Sequence, residues 1–545
     1  MCRGIWRFAA LTLYLAASAS AWAGSSSSAA SQQGQQAKPE VLKPDKDAQK
    51  MIAACRNAMA EAKVVRLPGR EQPLLQVTFP LYGEDSDLGY VAKALKESKI
   101  PIDLTLKQGT RLTEDGLLHH LDSLPKLQAL RLEGHKITDK SLAHLANFKQ
   151  LDTLSVVSDQ ITNDGLAPLA KLTGLQELTV QGRKISTAGL VHLKELTNLR
   201  LLRGQIFGIG RDQDMALIKG FTKLEELNIQ GSDFSDDGMD QVKELVNLRV
   251  LTMQCPKVTD AGLAALAKLT RLRKLMVLGA QNRFTDAGLV HLKNLTELEE
   301  LSVSWGVADA TAASMAALKE MTKLRKLRLD GNVTDDVLAC LDGLIHLEEL
   351  SIPSRKITSG GLASLKSLQA LKSLGLSNSP IGDAGLEHLT ALTSLRELDL
   401  AGTRITDAGM THLSAFKNLE RLRLVGTRVG DAGLASFKEL RSLKDLDLDR
   451  SKVTDEGLAH LKTLANLEEL SLSQTKVTDE GLAHLKALAK LEKLSLKDTA
   501  ITDSGLPHLK GMSKLRVIDL HGSKVTKAGV KELKSALPRA FIMGP

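Results

Sequence analysis

The chain has 545 residues, 43% of them apolar but only 3% aromatic, and a formal net charge of +8. Lys and Arg are interspersed with Asp and Glu, so the charge gives little argument for a nucleic-acid or anionic partner. A single globular core stops growing well short of this length, so the chain needs either several domains or one core extended by repetition.

Residues 1–23 read as an export signal. Arg3 and Arg7 precede an apolar stretch from Phe8 to about Ala19, and Ala21-Trp22-Ala23 stands before Gly24 as a small-residue cleavage site. The stretch is shorter than the roughly 20 residues a spanning helix needs, so no stable membrane span is expected after cleavage. Loss of Arg3 and Arg7 lowers the charge to +6. Of the remaining cysteines, Cys55, Cys255 and Cys340 are far apart and odd in number, which implies neither a disulfide framework nor a metal site.

Residues 24–46, rich in Ser, Gln, Ala, Lys and Pro, read as a disordered tether. Residues 47–111 read as an N-terminal helix and degenerate capping repeats. Met51, Ile52, Cys55, Met59 and Ala62 fall at helical spacing, then come a strand at 75–79, a helix at 87–96 and a strand at 102–106.

From 112 to 545 the chain reads as one repeat array with a C-terminal cap. Val-Thr-Asp-Glu-Gly-Leu-Ala-His-Leu-Lys occurs at 453–462 and again, letter for letter, at 477–486. The first leucine of a Leu-x-x-Leu-x-Leu phrase can be placed 17 times between Leu127 and Leu515, and every interval from Leu347 onward is 24 residues. A repeat of this size cannot bury its apolar face alone, so neighbours must stack. In the unit that begins at Leu467, alternation turns Leu470 and Leu472 inward and Glu469, Ser471 and Ser473 outward. Thr478 is placed to cap a short helix whose first turn holds Asp479 and Glu480. Leu482, Leu485 and Leu488 then face inward. A last strand at 540–542 closes the array, which is expected to be complete.

These phrases resemble the leucine-rich repeat family, specifically ribonuclease-inhibitor-like arrays of exported bacterial proteins, over about residues 75–545. The resemblance implies an α/β solenoid, a curved horseshoe with a parallel β-sheet on the concave face and short helices on the convex face. It also implies a binding scaffold whose partner it does not name. Thr403, Thr427, Thr475 and Thr499 stand where the family often has Asn, so a hydroxyl ladder is expected in place of an amide one.

The recurring His144, His192, His291, His388, His412, His460, His484 and His508 read as helix-surface packing residues, because adjacent helices about 8–10 Å apart cannot share a zinc ion. His119 and His120 are expected to diverge from one helix. Gly409, Gly433, Gly457 and Gly481 mark close packing, not a phosphate loop. No phosphate-loop, dinucleotide, nucleophile-elbow or His-Glu-x-x-His motif occurs, so catalytic, cofactor and metal residues are all expected to be absent. Asp445, Asp447 and Asp449 face outward from one strand, but Arg421, Arg423, Glu397 and Asp399 on the preceding strands suggest charge ladders and not calcium.

Intervals of 25, 26, 26 and 23 interrupt the period between Leu199 and Leu347. This stretch holds Ile206, Phe207, Met276, Leu278, residues 281–283 and Trp305, read as an exposed apolar cluster of the kind that anchors a partner. The candidate binding set is Met276, Leu278 and Trp305 as anchors, Arg421, Arg423, Asp445 and Asp447 as orienting charges, and Arg328 beside them.

The leading reading is an exported, non-enzymatic scaffold that binds a protein, peptide or other ligand through its concave face, in the periplasm, in the cell envelope or secreted. A structural envelope component is the alternative. A third reading is a substrate-recognition subunit resembling F-box leucine-rich-repeat proteins, although residues 24–74 do not read as an F-box.

Overall fold

The computed structural model describes residues 39–58, 60–67, 72–79, 83–107, 111–134, 137–204, 209–278 and 285–544. The export signal, most of the tether, and Ile206, Phe207 and residues 281–283 lie outside the described residues. The chain divides into two compact units, one of residues 1–198 with 203–205 and one of 199–202 with 206–545. No helix among the described residues is long and apolar enough to cross a membrane.

The first unit opens with a cap in which one strand runs against the rest. Helix α1 (Lys46–Asn57) starts at Asp45, whose carboxylate accepts from Ala48 N at 2.7 Å. It buries Ile52 and Cys55, and burial pushes the Cys55 thiol up to about 11. The helix stops five residues short of the expected Ala62, because β2 (Glu61–Arg66) follows. Val64 and Val65 are β-branched and buried there, which favours a strand. Strand β2 pairs antiparallel with both β1 (Glu40–Val41) and β3 (Leu74–Phe79). From β3 onward the sheet is parallel through β4 (Ile102–Leu106), β5 (Leu127–Glu133), β6 (Thr153–Val157) and β7 (Glu177–Gln181). On this sheet Asp103 is fully buried. Its carboxylate is ion-paired with Arg131 and accepts from Gln76 Nε2 at 3.3 Å, the pairing a buried charge requires.

The second unit repeats one layer. Strands of three residues recur from Glu349–Ser351 to Phe541–Met543, each parallel to the last. Their central residues, from Leu350 through Leu470 to Ile518, are at most 2% exposed. In the type repeat Leu472, Val477, Leu482, Leu485, Leu488 and Leu491 are at most 1% exposed, and each such side chain contributes roughly 1.5–3 kcal/mol by leaving water. The helical part is short, often 3₁₀, as in the seven residues Gly481–Ala487. In the second of the two 26-residue repeats the strand is long: Glu300–Ala310 pairs with Lys326–Val333, in the 23-residue repeat that follows, across a register shift between Ser304 and Asp309.

Layers are joined by a bond that the spacing within one repeat does not reveal. The aspartate that opens a helix reaches forward to the residue one place before the equivalent position of the next repeat, which is most often a threonine and is Gly430 for Asp407. Asp455 accepts from Thr478 N at 2.8 Å and from Thr478 Oγ1 at 2.6 Å. Asp383 with Thr406, Asp431 with Thr454, Asp479 with Thr502 and Asp503 with Thr526 make the same pair of bonds. In the first unit Asp139 holds Thr162 in this way. Thr478 thus donates its hydroxyl to the previous repeat, and at Thr406, Thr502 and Thr526 the same oxygen also accepts from an N–H of its own helix. The recurrent glycine makes room for this carboxylate: a Cβ at Gly481 would lie 2.3 Å from Asp455 Oδ1, and one at Gly457 would lie 2.3 Å from Asp431 Oδ1.

The expected hydroxyl ladder is corrected. Thr403, Thr427, Thr475 and Thr499 are buried, but each hydroxyl donates at 2.6 Å to a carbonyl three residues back in its own repeat. A hydroxyl is too short to reach both its own turn and the next repeat, so backbone bonds join the layers here, such as Gln474 N to Lys497 O at 2.8 Å.

Replacing Gly481 by Ala forces the Asp455 carboxylate off Thr478, and is expected to lower stability by about 1–3 kcal/mol. At Gly511 a methyl would meet nothing within 4 Å, so Ala is expected to be accepted there with little change; denaturant unfolding of both variants checks the contrast. Thr526 holds the Asp503 carboxyl below its ordinary range. Its contribution is therefore present above the ordinary carboxylate pKa and is lost as pH falls through the lowered value, so Asp503→Asn should erase that part of the acid sensitivity in a pH series of unfolding midpoints.

Candidate binding surface

Constant register turns the outward side chains of the second unit into rows that cross the strands. One row runs Thr252, Met276, Ser302, Arg328, Ser351, Gly375, Asp399, Arg423, Asp447, Ser471. Four of the predicted residues, Met276, Arg328, Arg423 and Asp447, therefore share a row. The adjacent row contains Lys274, Glu300, Lys326, Glu349, Ser373, Glu397, Arg421, Asp445, Glu469 and Lys493. Arg421 and Asp445 belong to it.

Met276 and Leu278 are half-buried, and neither is among the large exposed apolar side chains. Leu278 lies just past its strand, its N–H donating to Met253 O at 2.7 Å. Trp305 lies within the strand Glu300–Ala310, and its side chain lies outside the described residues.

The charged ladders extend further upstream than Glu397. Lys274 pairs with Glu300 at 2.8 Å and Lys326 with Glu349 at 2.7 Å. Arg421 pairs with Glu397, while Arg423 stands 3.7 Å from Asp399 and 3.6 Å from Asp447. The sequence signal for the longer ladder is the recurring charge just before the second leucine of the strand phrase. Along the strand entrances, Glu348 sits between Arg325 (2.8 Å) and Lys372 (2.6 Å), and Glu420 between Arg396 (3.0 Å) and Lys444 (2.7 Å). Lys372 and Lys444 hold these two carboxyls below the usual range.

The strand Asp445–Asp447 behaves differently. Burial, with Asp449 beside it, pushes the Asp447 carboxyl up to about 6, and burial with Glu469 raises Asp445. Asp449 Oδ1 accepts from Ser473 N at 2.7 Å and Ser471 Oγ at 2.5 Å, and Ser473 Oγ lies 2.9 Å from Ser495 Oγ. Among the described residues no group of three or more His, Cys, Asp or Glu could hold a metal ion. The repeated histidines are half-buried or exposed, and His144 Nε2 lies 2.7 Å from Asp122 Oδ1. His119 and His120 do not diverge; their rings meet edge-on with centroids 5.2 Å apart.

Four segments, 222–241, 391–414, 439–461 and 463–485, match the family described as Leucine Rich repeat. The fold of solved leucine-rich repeat proteins is similar. A leucine-rich repeat protein of Leptospira interrogans is 18% identical over 75% of this chain and 98% of its own, with a TM-score of 0.50. An internalin, inlF, of Listeria monocytogenes is 20% identical over 71% of this chain and 89% of its own, with a TM-score of 0.41. The leucine-rich repeat ectodomain of the Arabidopsis thaliana receptor kinase GASSHO1/SCHENGEN3, solved with CASPARIAN STRIP INTEGRITY FACTOR 2, is 15% identical over 86% of this chain and 69% of its own, with a TM-score of 0.31. No curated protein matches the sequence.

Asp447 carries a folded-state carboxyl raised above its ordinary value, so its cost to stability is full above about pH 6 and gone below the unfolded value near 4. Asp447→Asn is therefore expected to stabilise the protein by on the order of 2 kcal/mol at pH 7.5, a gain that shrinks as the pH falls from 6 to 4; urea midpoints across that range measure it.

Proposed function

We propose that this protein is an exported, non-enzymatic recognition scaffold that takes a protein or peptide partner across the outer face of the sheet in its second unit. Leucine-rich repeat arrays offer extended surfaces of this kind. The observation that carries the reading is the constant register, which aligns Met276, Arg328, Arg423 and Asp447 in one row beside Arg421 and Asp445. Stripes of like charge follow single strands: Glu397 with Asp399, Arg421 with Arg423, Asp445 with Asp447. A partner laid over them meets a fixed order of signs, which sets orientation and rejects mismatched partners. Because the polar residues recur at the repeat period, stacking accounts for most of them, whereas catalysis requires one convergent constellation.

A photo-crosslinker at Ser495 on the sheet face is expected to trap a discrete partner in native extracts, and one at Ala483 on the helix side is not. Arg421→Ser with Arg423→Ser should cut that capture about tenfold, as loss of paired interfacial charges does, with the unfolding midpoint little changed. Equal trapping from both sides, or undiminished capture by the double variant, would defeat the proposal. The N-terminus found on protein recovered from the native host tests export, with Gly24 as the expected first residue.

A further inference from the structure

Where each strand turns toward its helix, the second unit carries a feature the sheet face does not explain. Positions 404, 428, 452 and 476, one per repeat, are Arg, Arg, Lys and Lys, and all four are exposed. Their backbones are hydrogen-bonded layer to layer. Arg404 N donates to Ile381 O at 2.8 Å, Arg428 N to Ile405 O at 3.0 Å, Lys452 N to Val429 O at 2.8 Å and Lys476 N to Val453 O at 3.3 Å. Such stacking sets successive residues about 5 Å apart, the spacing of neighbouring strands.

Four like charges in single file repel one another. On the sheet face each such problem is solved by an acid one strand away, as Glu349 does for Lys326. On this rim it is not: among the described residues, none of the four makes an ion pair or a side-chain hydrogen bond. The acids three residues further on, Asp407, Asp431, Asp455 and Asp479, are turned into the next repeat, where Gly430 N and the threonines hold them, and Asp449, three residues before Lys452, is held by Ser471 and Ser473. Stacking does not need the cation either, since the same phase holds Pro380 before the column and Ala500 after it.

We propose that this column docks a linear acidic polysaccharide, laid along the rim with its anionic groups against Arg404, Arg428, Lys452 and Lys476. A chain with one acidic group per sugar ring meets a straight row of charges with a similar step, and counterion release drives the contact. Single-stranded nucleic acid would call for stacking platforms, but the two phenylalanines between 378 and 480, Phe416 and Phe437, are fully buried. An anionic bilayer would draw on apolar side chains beside the cations, and among the described residues no large exposed apolar side chain lies between Ile345 and Phe541.

Alginate, a linear polyuronate, is the probe, titrated into the full chain at low salt by calorimetry. Changing the four cations together to Gln is expected to weaken binding about tenfold or more and to flatten its salt dependence, whereas exchanging Arg for Lys and Lys for Arg at the same positions keeps it. Lys438→Gln, Lys462→Gln and Lys486→Gln, made together on the helical turns, should leave affinity within about twofold, as a contact confined to the rim requires. If the quadruple variant does not fold, R404Q/R428Q and K452Q/K476Q carry the same test separately. The proposal is overturned if the rim variants bind alginate as the parent does or the helical variant loses as much. Neutral dextran binding equally well, or duplex DNA or phosphatidylglycerol vesicles binding more tightly than alginate, would overturn it too. Partner capture at Ser495 is read independently, so either proposal can fail without the other.

Discussion

The bond between one repeat's aspartate and the next repeat's threonine organises the layer. Leucine burial supplies most of the stacking energy, but it is non-directional and would tolerate sliding. The pair of hydrogen bonds from Thr N–H and O–H to one carboxylate is charge-assisted and geometrically exacting, and it fixes each layer against the last. Its space requirement then dictates the residue three positions after the threonine. At Gly457, Gly481 and Gly505 the preceding aspartate lies 2.3–2.4 Å from where a methyl would be, so only glycine serves. Thr-Asp-x-Gly-Leu is thus one mechanical statement spread over two repeats: an acceptor offered forward, a donor offered back and a gap to admit the contact.

With register fixed, electrostatics sort themselves by side. On the sheet face neighbouring strands supply opposite charges, so Glu348 and Glu420 each sit between two cations. Asp445 and Asp447 are the exception: they have the Arg421 and Arg423 strand on one side and the Glu469 and Ser471 strand on the other. Burial raises both carboxyls, with Glu469 adding to it at Asp445 and Asp449 at Asp447, and they mark the part of the wall with most to gain from a cationic neighbour. A chain with net positive charge therefore presents both a compensated wall and an uncompensated rim.

Much of this is legible in the sequence because repetition averages out local ambiguity. The strand at 102–106 and the inward set Leu470, Leu472, Leu482, Leu485 and Leu488 follow from periodicity alone. What escapes is information held between repeats. Nothing within residues 475–488 says that Thr478 faces Asp455; that needs the stacking direction. The β2 strand escapes because helical spacing at Met51 and Cys55 continues through Ala62, up to the Val64-Val65 pair that belongs to the strand. Met276 and Leu278 look exposed in sequence because a pattern in one chain gives the direction of a side chain but not what covers it.

The identical decapeptides at 453–462 and 477–486 acquire a concrete meaning from the layer bonding. Each makes the same forward and backward bonds, Asp455 to Thr478 and Asp479 to Thr502, so the junctions on either side of a 24-residue cassette are interchangeable. Excising or duplicating such a cassette leaves matching ends. The length of this wall is consequently a dial that genetic duplication can turn one notch at a time, lengthening the reach of the molecule without redesigning a single contact.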